Sequence, residues 1–547
     1  MSSQQIINYV ECIAREGGDV QDVLSYLSHH RTDIDVQVAC LEALGTMCEN
    51  NDDNRRRVGD LDGLEAIRLS MDTLSCASKV QMYGCRALAN VCWGNAANRN
   101  RAFQCRVVLY VIHAMQISHG VADLEREACR ALVSLCDSNL ENSAIAMENS
   151  AVNAVVKMMD HHRIASEIQI YGCWALINMY GSAEKDSQTY GCDPLKAVVN
   201  AMIGHRDDVG VQETGCIALS NMCYANSDNK RRATVVDAIK TVVQTMNQHS
   251  DNANIQKYGC SALTTICCKS KDNIRDANKN EAIITIITAM RNHDGVMGVQ
   301  EDACRVLIVL CSNVASYKRI AGKEGAINSI VTAMKLHSTS CSVQELGCWA
   351  LHRICSEDVQ NISLAVSINA LDIVASVIEQ HPSTEDVALC LKKILQDGIK
   401  KENMQLRDDL RASRNECKLL LDELTRYKKQ NEVVLRQVEL LRSENTFLRN
   451  ENEGTSFPCV RNTKQFQTRR ERYTVHIFRD DEQYAVCRSS SVTHLRPQEE
   501  SPAEQCKDKS TTPTRSIFRR KARAENCTHT WYNHLRRKDM NGDFKAS

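Results

Sequence analysis

An eight-residue phrase returns about every 44 residues through most of this chain. It opens at Gln81 as Gln-Met-Tyr-Gly-Cys-Arg-Ala-Leu and returns at Gln169, Gln212, Gln256 and Gln344. Variants opening at Glu125 and Gln300 have Ala in place of the Gly. Anchored on its fifth residue, the series is Cys85, Cys129, Cys173, Cys216, Cys260, Cys304 and Cys348, in steps of 44, 44, 43, 44, 44 and 44. Extending it by 44 reaches Leu41 and Lys392, where the flanks Val36-Gln37, Ala43-Leu44, Val387 and Leu395 also fit, which gives nine units. A strict period of this length belongs to solenoids, in which each unit packs on its neighbours and the array as a whole holds other molecules.

The period decides how 547 residues are divided: one long array in place of several globular domains. A net charge of -1 gives the whole molecule no attraction for nucleic acid. None of the 27 Cys forms a CxxC pair. Fourteen fill two repeat slots, the seven anchors and a second set at Cys48, Cys92, Cys136, Cys223, Cys267, Cys311 and Cys355. Seven residues along a helix is about 10.5 Å, too far for a shared zinc or a disulfide. These thiols are expected to be small buried apolar groups in a reducing interior, with no metal and no cofactor. No run of 18 apolar residues is present, so no membrane span is expected. The opening Met-Ser-Ser-Gln-Gln lacks the marks of a secretory signal, so the expected location is the cytoplasm, with the nucleus as a second site.

One unit shows the local pattern. From Asn229 to Cys268, Asn229 is placed to cap a short helix over Lys230–Val236. Asp237 opens a second helix, where Ile239, Val242, Val243 and Met246 share one face. That segment recurs in register at Met115, Met159, Met202, Met246, Met290 and Met334. Three residues beyond the slot, six units carry His162, His205, His249, His293, His337 or His381, expected as cations at helix C-terminal ends. The third helix carries the phrase, with Cys85, Leu88 and Cys92 as its buried stripe in the second unit. Gly84, Gly172, Gly215, Gly259 and Gly347 each cost about 1 kcal/mol of helix propensity relative to Ala, and close approach of the next helix is the expected reason. Three helices per unit, with Pro194 the only proline before residue 382, describe an all-α solenoid.

The phrase Gln169-x-x-Gly172-Cys173-Trp174-Ala175-Leu176-x-Asn178 resembles the third helix of an armadillo repeat, in the importin-α form where Trp and Asn line a concave groove. The recurring Ala-Met-x-x-His before Gln-x-x-Gly-Cys is also similar to the armadillo region of the leucine-rich-repeat kinases. The resemblance covers residues 1–395 and implies an armadillo superhelix whose third helices line a binding groove. The groove positions it implies are Arg86/Asn90, Arg130/Ser134, Trp174/Asn178, Ile217/Asn221, Ser261/Thr265, Arg305/Val309 and Trp349/Arg353. An importin-like receptor needs Trp/Asn in several units, and only Trp174/Asn178 is a full pair. Arg86, Arg130, Arg305 and Arg353 repel a basic signal and suit carboxylate or phosphate. The expected ligand is an extended or helical segment of another protein, acidic or phosphorylated, with Asn90, Asn178 and Asn221 holding its backbone. The competing expectation is that the arginines are solvated, or pair with neighbouring acids such as Glu127 and Glu301.

After the array, apolar and small residues alternate in steps of 4 and 3 from Ile399 to Leu448, a coiled-coil seam. Its core contains Leu406, Leu410, Leu420, Leu424, Asn431, Val434, Val438, Leu441, Asn445 and Leu448. With Leu406 at d, Asn403, Asn431 and Asn445 fall at a, where Asn sets register at a cost in stability and favours a parallel dimer. Residues 396–453 are therefore expected to self-associate, the alternatives being a helix docked on the last repeat or a heteromeric partner. Residues 454–547 form a tail with four of the six Pro, and from Thr455 onward 19 Lys and Arg against 11 Asp and Glu. It reads as mostly disordered, with Arg519–Arg523 and Arg536–Lys538 as basic runs and Tyr473–Ile477 as an isolated strand candidate.

No phosphate-binding loop, dinucleotide fingerprint, HExxH or GxSxG is present, and an enzyme is not expected. The expectation is a non-catalytic scaffold or adaptor doubled by its coiled coil. The alternative is a nuclear transport receptor or a regulator of a small GTPase.

Overall fold

The computed structural model describes residues 1–117, 120–182, 193–312 and 314–452. The basic runs and the strand candidate of the tail lie outside these. Among the described residues every regular element is a helix, and they divide at Arg411/Ala412 into two compact units.

The sixth repeat illustrates the first unit. Its helices are Ser227–Val235, Ala238–Gln248 and Ala253–Cys267. The first is capped by Asn226, whose side chain accepts from Asn229 N. Asn229 is therefore inside the helix, and its Nδ2 donates to Met222 O at 2.7 Å. Asp237, at a φ of 57°, turns the chain into the second helix. Asp62, Ser150, Glu281, Gly325 and Asn369 hold the same left-handed position in other repeats. Such short non-glycine reversals are tolerated at single residues where neighbouring packing fixes the backbone.

Third helices pack on one another in series, from Ile34–Cys48 and Ser78–Cys92 to Met297–Leu310 and Cys341–Cys355. At the array's start, Ser3–Glu16 packs on Ile34–Cys48 in the place of a preceding third helix. Cys85, Leu88 and Cys92 are buried, as are their counterparts from Leu41 to Cys355, whereas Lys392 and Ile399 in the ninth unit are half-buried. All the described cysteines are free thiols.

The recurring glycine answers to the methionine of its own repeat, not to the next helix. A Cβ at Gly259 would lie 2.5 Å from Met246 Cγ and 2.6 Å from its Sδ. Gly84 meets Met71, Gly172 meets Met159, Gly215 meets Met202 and Gly347 meets Met334 in the same way. The thioether lies across the third helix and fills the space that Cβ would take. Where Ala128 and Ala303 occupy the slot, Met115 and Met290 are still buried, so the flexible side chain adapts.

Most of the other recurring polar residues tie carbonyl groups left free at helix C-termini. Gln256 Nε2 donates to Met246 O and His249 O, both at 2.8 Å. Gln37, Gln81, Gln169, Gln212, Gln300 and Gln344 repeat the arrangement. Asn98, Asn142, Asn273 and Asn361 each bridge two carbonyls of the repeat before, one on its first helix and one on its third. The histidines make a third ladder. His205, His249, His293, His337 and His381 each donate from Nε2 to a carbonyl of the preceding repeat, at 2.7 to 2.9 Å. They sit at the C-terminal ends of the second helices, where they were expected, and also join the repeats. Position 125 breaks the Gln series. Its buried carboxylate accepts from Gly120 N at 3.1 Å and faces His162 Nε2 at 2.7 Å.

The ninth repeat ends differently. Val359–Ser367 and Ala370–Gln380 are followed by one helix, Glu385–Asn452, with no break at residue 395. Leu391 and Leu395 are buried in the array, and Ser363 Oγ donates to Glu402 at 3.2 Å. From Asn403 to Thr446 every residue of that helix is exposed. The exposed stretch includes Leu406, Leu410, Leu420, Leu424, Asn431, Val434, Val438, Leu441 and Asn445. The Leu448 side chain lies outside the description. No single described helix is long and apolar enough to cross a membrane. The one bent pair that passes by length and composition is the pair of ninth-repeat helices just named.

Candidate functional site

The third helices bury every face except one. On that face the residue after each anchor is half-buried: Arg86, Arg130, Trp174, Ile217, Ser261, Arg305 and Trp349. Four residues on, Asn178, Asn221, Val309 and Arg353 are half-buried, while Asn90, Ser134 and Thr265 are buried. Helical spacing puts the two sets on one face, and serial packing of the third helices makes that face continuous from repeat to repeat.

The asparagines hold the array's own backbone. Asn90 Nδ2 donates to Gly45 O at 2.9 Å, Asn178 Nδ2 to Val133 O at 2.8 Å and Asn221 Nδ2 to Ile177 O at 3.4 Å. Each bond reaches the preceding third helix, so the amide that was expected to grip a partner backbone first sets the spacing of the face.

The arginines divide. Arg130 pairs with the buried Glu127 at 2.6 Å and donates to Asn90 Oδ1 at 3.3 Å. Arg126 shares that carboxylate at 3.4 Å. Arg305 sits 3.6 Å from the buried Asp302, where Glu301 was the expected partner. For these two positions the pairing expectation is the one realised. Arg86 and Arg353 form no salt bridge to an acid among the described residues, and Arg353 Nε is buried without a hydrogen-bond partner. Beside it, Trp349 meets the His352 ring edge-on at 5.8 Å. Burial, then Arg353 and Lys318, hold the His352 imidazole below its ordinary pKa.

Sequence reasoning missed the residue two before the anchor. Tyr83, Tyr171 and Tyr258 are half-buried there and pack against the core edge beside Arg86, Trp174 and Ser261. Their signal was the third letter of the repeated phrase. With Ile170, Trp174 and Ile217 they give the middle of the face an aromatic and aliphatic character. Large half-buried aromatic side chains are the usual anchors of protein interfaces. Among the described residues no group of His, Cys, Asp and Glu has the arrangement of a metal site.

The family model described as the LRRK2 ARM repeat matches residues 232–423. A crystal structure of an engineered protein is similar at a TM-score of 0.63 and 19% identity, over 72% of this chain and 94% of that one. A chain from a structure concerning a phosphorylation switch in the interaction between cadherin and beta-catenin is similar at a TM-score of 0.57 and 14% identity, over 72% of this chain and 77% of that one. No curated protein matches the chain. The three-helix units and their serial packing, with these likenesses, give the chain an armadillo-type α-solenoid fold.

Proposed function

We propose that this protein is a non-catalytic scaffold or adaptor, active in the cytoplasm, that holds a segment of a partner protein along its third-helix face. The observation that carries the reading is the composition of that face. Seven successive side chains are held half out of a closely packed core, with asparagine bonds joining third helices in the earlier part of the row, and they run from Arg86 and Arg130 through Trp174, Ile217 and Ser261 to Arg305 and Trp349. A rigid row of this kind suits an extended or helical segment, since little ordering cost falls on the receptor. Arg86 and Arg353, which form no salt bridge among the described residues, favour a segment that is acidic or phosphorylated. The long terminal helix doubles the array through residues 399–448, which raises avidity when both faces engage one target. A transport receptor is the weaker reading, because Trp174/Asn178 is the single complete pair of the type that clamps basic peptides. A regulator of a small GTPase would bind one nucleotide state in preference to the other, and comparing GDP and GTP forms separates it from a scaffold.

The test is a pair of charge reversals, Arg86→Glu with Arg130→Glu. Both side chains are partly solvent-exposed, and Arg130 lies against Glu127, so the helical spectrum is recorded first. Capture of acidic and phosphorylated peptides from an array is expected to fall at least tenfold. Unchanged capture removes the acidic-segment assignment.

A further inference from the structure

The exposed helix after the array presents more than an apolar seam. In the register that puts Leu406 at d, the g positions read Glu402, Asp409, Glu416, Glu423, Gln430 and Gln437. The e positions read Arg407, Arg414, Leu421, Lys428, Leu435 and Arg442. Every charge at g is acidic and every charge at e is basic. This separation distinguishes the two ways in which a second copy can be laid against the seam. In a parallel pair, g of one helix meets e of the next heptad on the other. Asp409 then meets Arg414 of the second copy, Glu423 meets Lys428, and no like charges meet along the stretch. In an antiparallel pair, g meets g and e meets e, so acids face acids and bases face bases.

We infer that the self-association proposed above is a parallel, in-register dimer of two copies of this chain, with residues 413–445 as its centre. The inference rests on that reading and adds the e/g charge pairing that selects the parallel, in-register arrangement over the antiparallel one. The seam residues are free to be covered: Leu424 is 53% exposed, Val434 51% and Leu441 61%. Asp409 accepts only from Gln405 of its own helix, and Glu423 and Lys428 form no salt bridge among the described residues. In-register pairing places Asn431 opposite Asn431 of the other copy, where their amides satisfy one another, as an a-position Asn requires. It also places the exposed Cys417 thiol at a opposite its own counterpart.

The experiment uses the full chain in sedimentation equilibrium at micromolar concentration, with Glu423→Lys, Lys428→Glu and Cys417→Ser variants, all on exposed positions. The unaltered chain sediments as a dimer. Glu423→Lys weakens that dimer roughly tenfold, because two Lys–Lys contacts replace two ion pairs. Mixing Glu423→Lys with Lys428→Glu chains restores association, since both contacts are then oppositely charged. Addition of diamide forms one Sγ–Sγ bond between two Cys417 thiols. The two protons and two electrons released reduce the azo group to the hydrazine, and Cys417→Ser abolishes the product. A dimer that tightens with Glu423→Lys and gives no Cys417 disulfide is antiparallel and overturns the inference, as does a dimer indifferent to the charge changes. A monomer for the unaltered chain overturns the underlying self-association and leaves the seam to a different protein.

Discussion

Between pH 9 and pH 10 the array is expected to unfold. Burial pushes the thiols of Cys40, Cys48, Cys92, Cys136, Cys173, Cys216, Cys304, Cys311, Cys348 and Cys355 up to about 12. Cys85, Cys129, Cys260 and Cys267 are pushed well above the ordinary range by the same cause. An unfolded thiol ionises near about 8.5. Above that value the unfolded chain has lost protons that the folded chain retains, so stability falls as pH rises; below it the stability is fully present. Each buried thiol contributes a loss of up to about 1.4 kcal/mol per pH unit, continuing until the folded value is reached. At pH 10 that is about 2 kcal/mol per thiol, or about 4 kcal/mol for a repeat with two of them, against the roughly 2–7 kcal/mol that about 0.05–0.15 kcal/mol per residue gives a 44-residue unit. Far-UV circular dichroism under reducing conditions checks it. Replacing Cys216 and Cys260 with Ala should move the midpoint upward, whereas a helical signal unchanged at pH 10.5 would show that the thiols are not sealed from solvent.

The second large effect is expected from Gln256→Glu. Gln256 is 1% exposed, and its amide nitrogen faces two carbonyl oxygens. A carboxylate there has nothing to donate and sits against two acceptors, so the change leaves an uncompensated buried charge worth about 3–5 kcal/mol. The loss should ease as the pH is lowered and the new carboxyl takes up a proton, because the neutral acid regains one donor. Position 125 shows what accommodation requires: there a natural Glu is matched by Gly120 N and His162 Nε2. Hydrogen exchange over Ala253–Cys267 checks the prediction, with protection lost first in that repeat. A variant within 1 kcal/mol of the parent would mean that the Gln ladder does not hold the helix ends.

These two effects mark what was legible in the residue order. The period, the three helices and the buried Cys slots were all readable, because each is a matter of position within a unit. What the sequence left open was which neighbour each recurring residue touches. Gly259 lies 13 residues after Met246, and Gln256 lies 7 after His249, so both pairings were present as constant spacings. Periodicity alone does not distinguish a contact inside a repeat from one between repeats. The histidines showed the same ambiguity, and so did Asn226 and Asn229, two good capping residues three apart, of which only the first caps. On the candidate face the row of side chains after the anchors was readable. The pairing of Arg130 and Arg305 was settled by acids on their own helices, which a one-dimensional reading weighed equally with solvent.

Small-angle scattering from a fragment spanning residues 1–411 tests the central claim most directly, because everything proposed for the face depends on third helices stacked in series. A compact globule of that length has a radius of gyration of about 22 Å. Nine units stacked at helix-packing distances predict a clearly larger value and a pair-distance distribution with a long tail. A symmetric distribution at about 22 Å would contradict the account, since repeats packed into a sphere have no continuous face to offer.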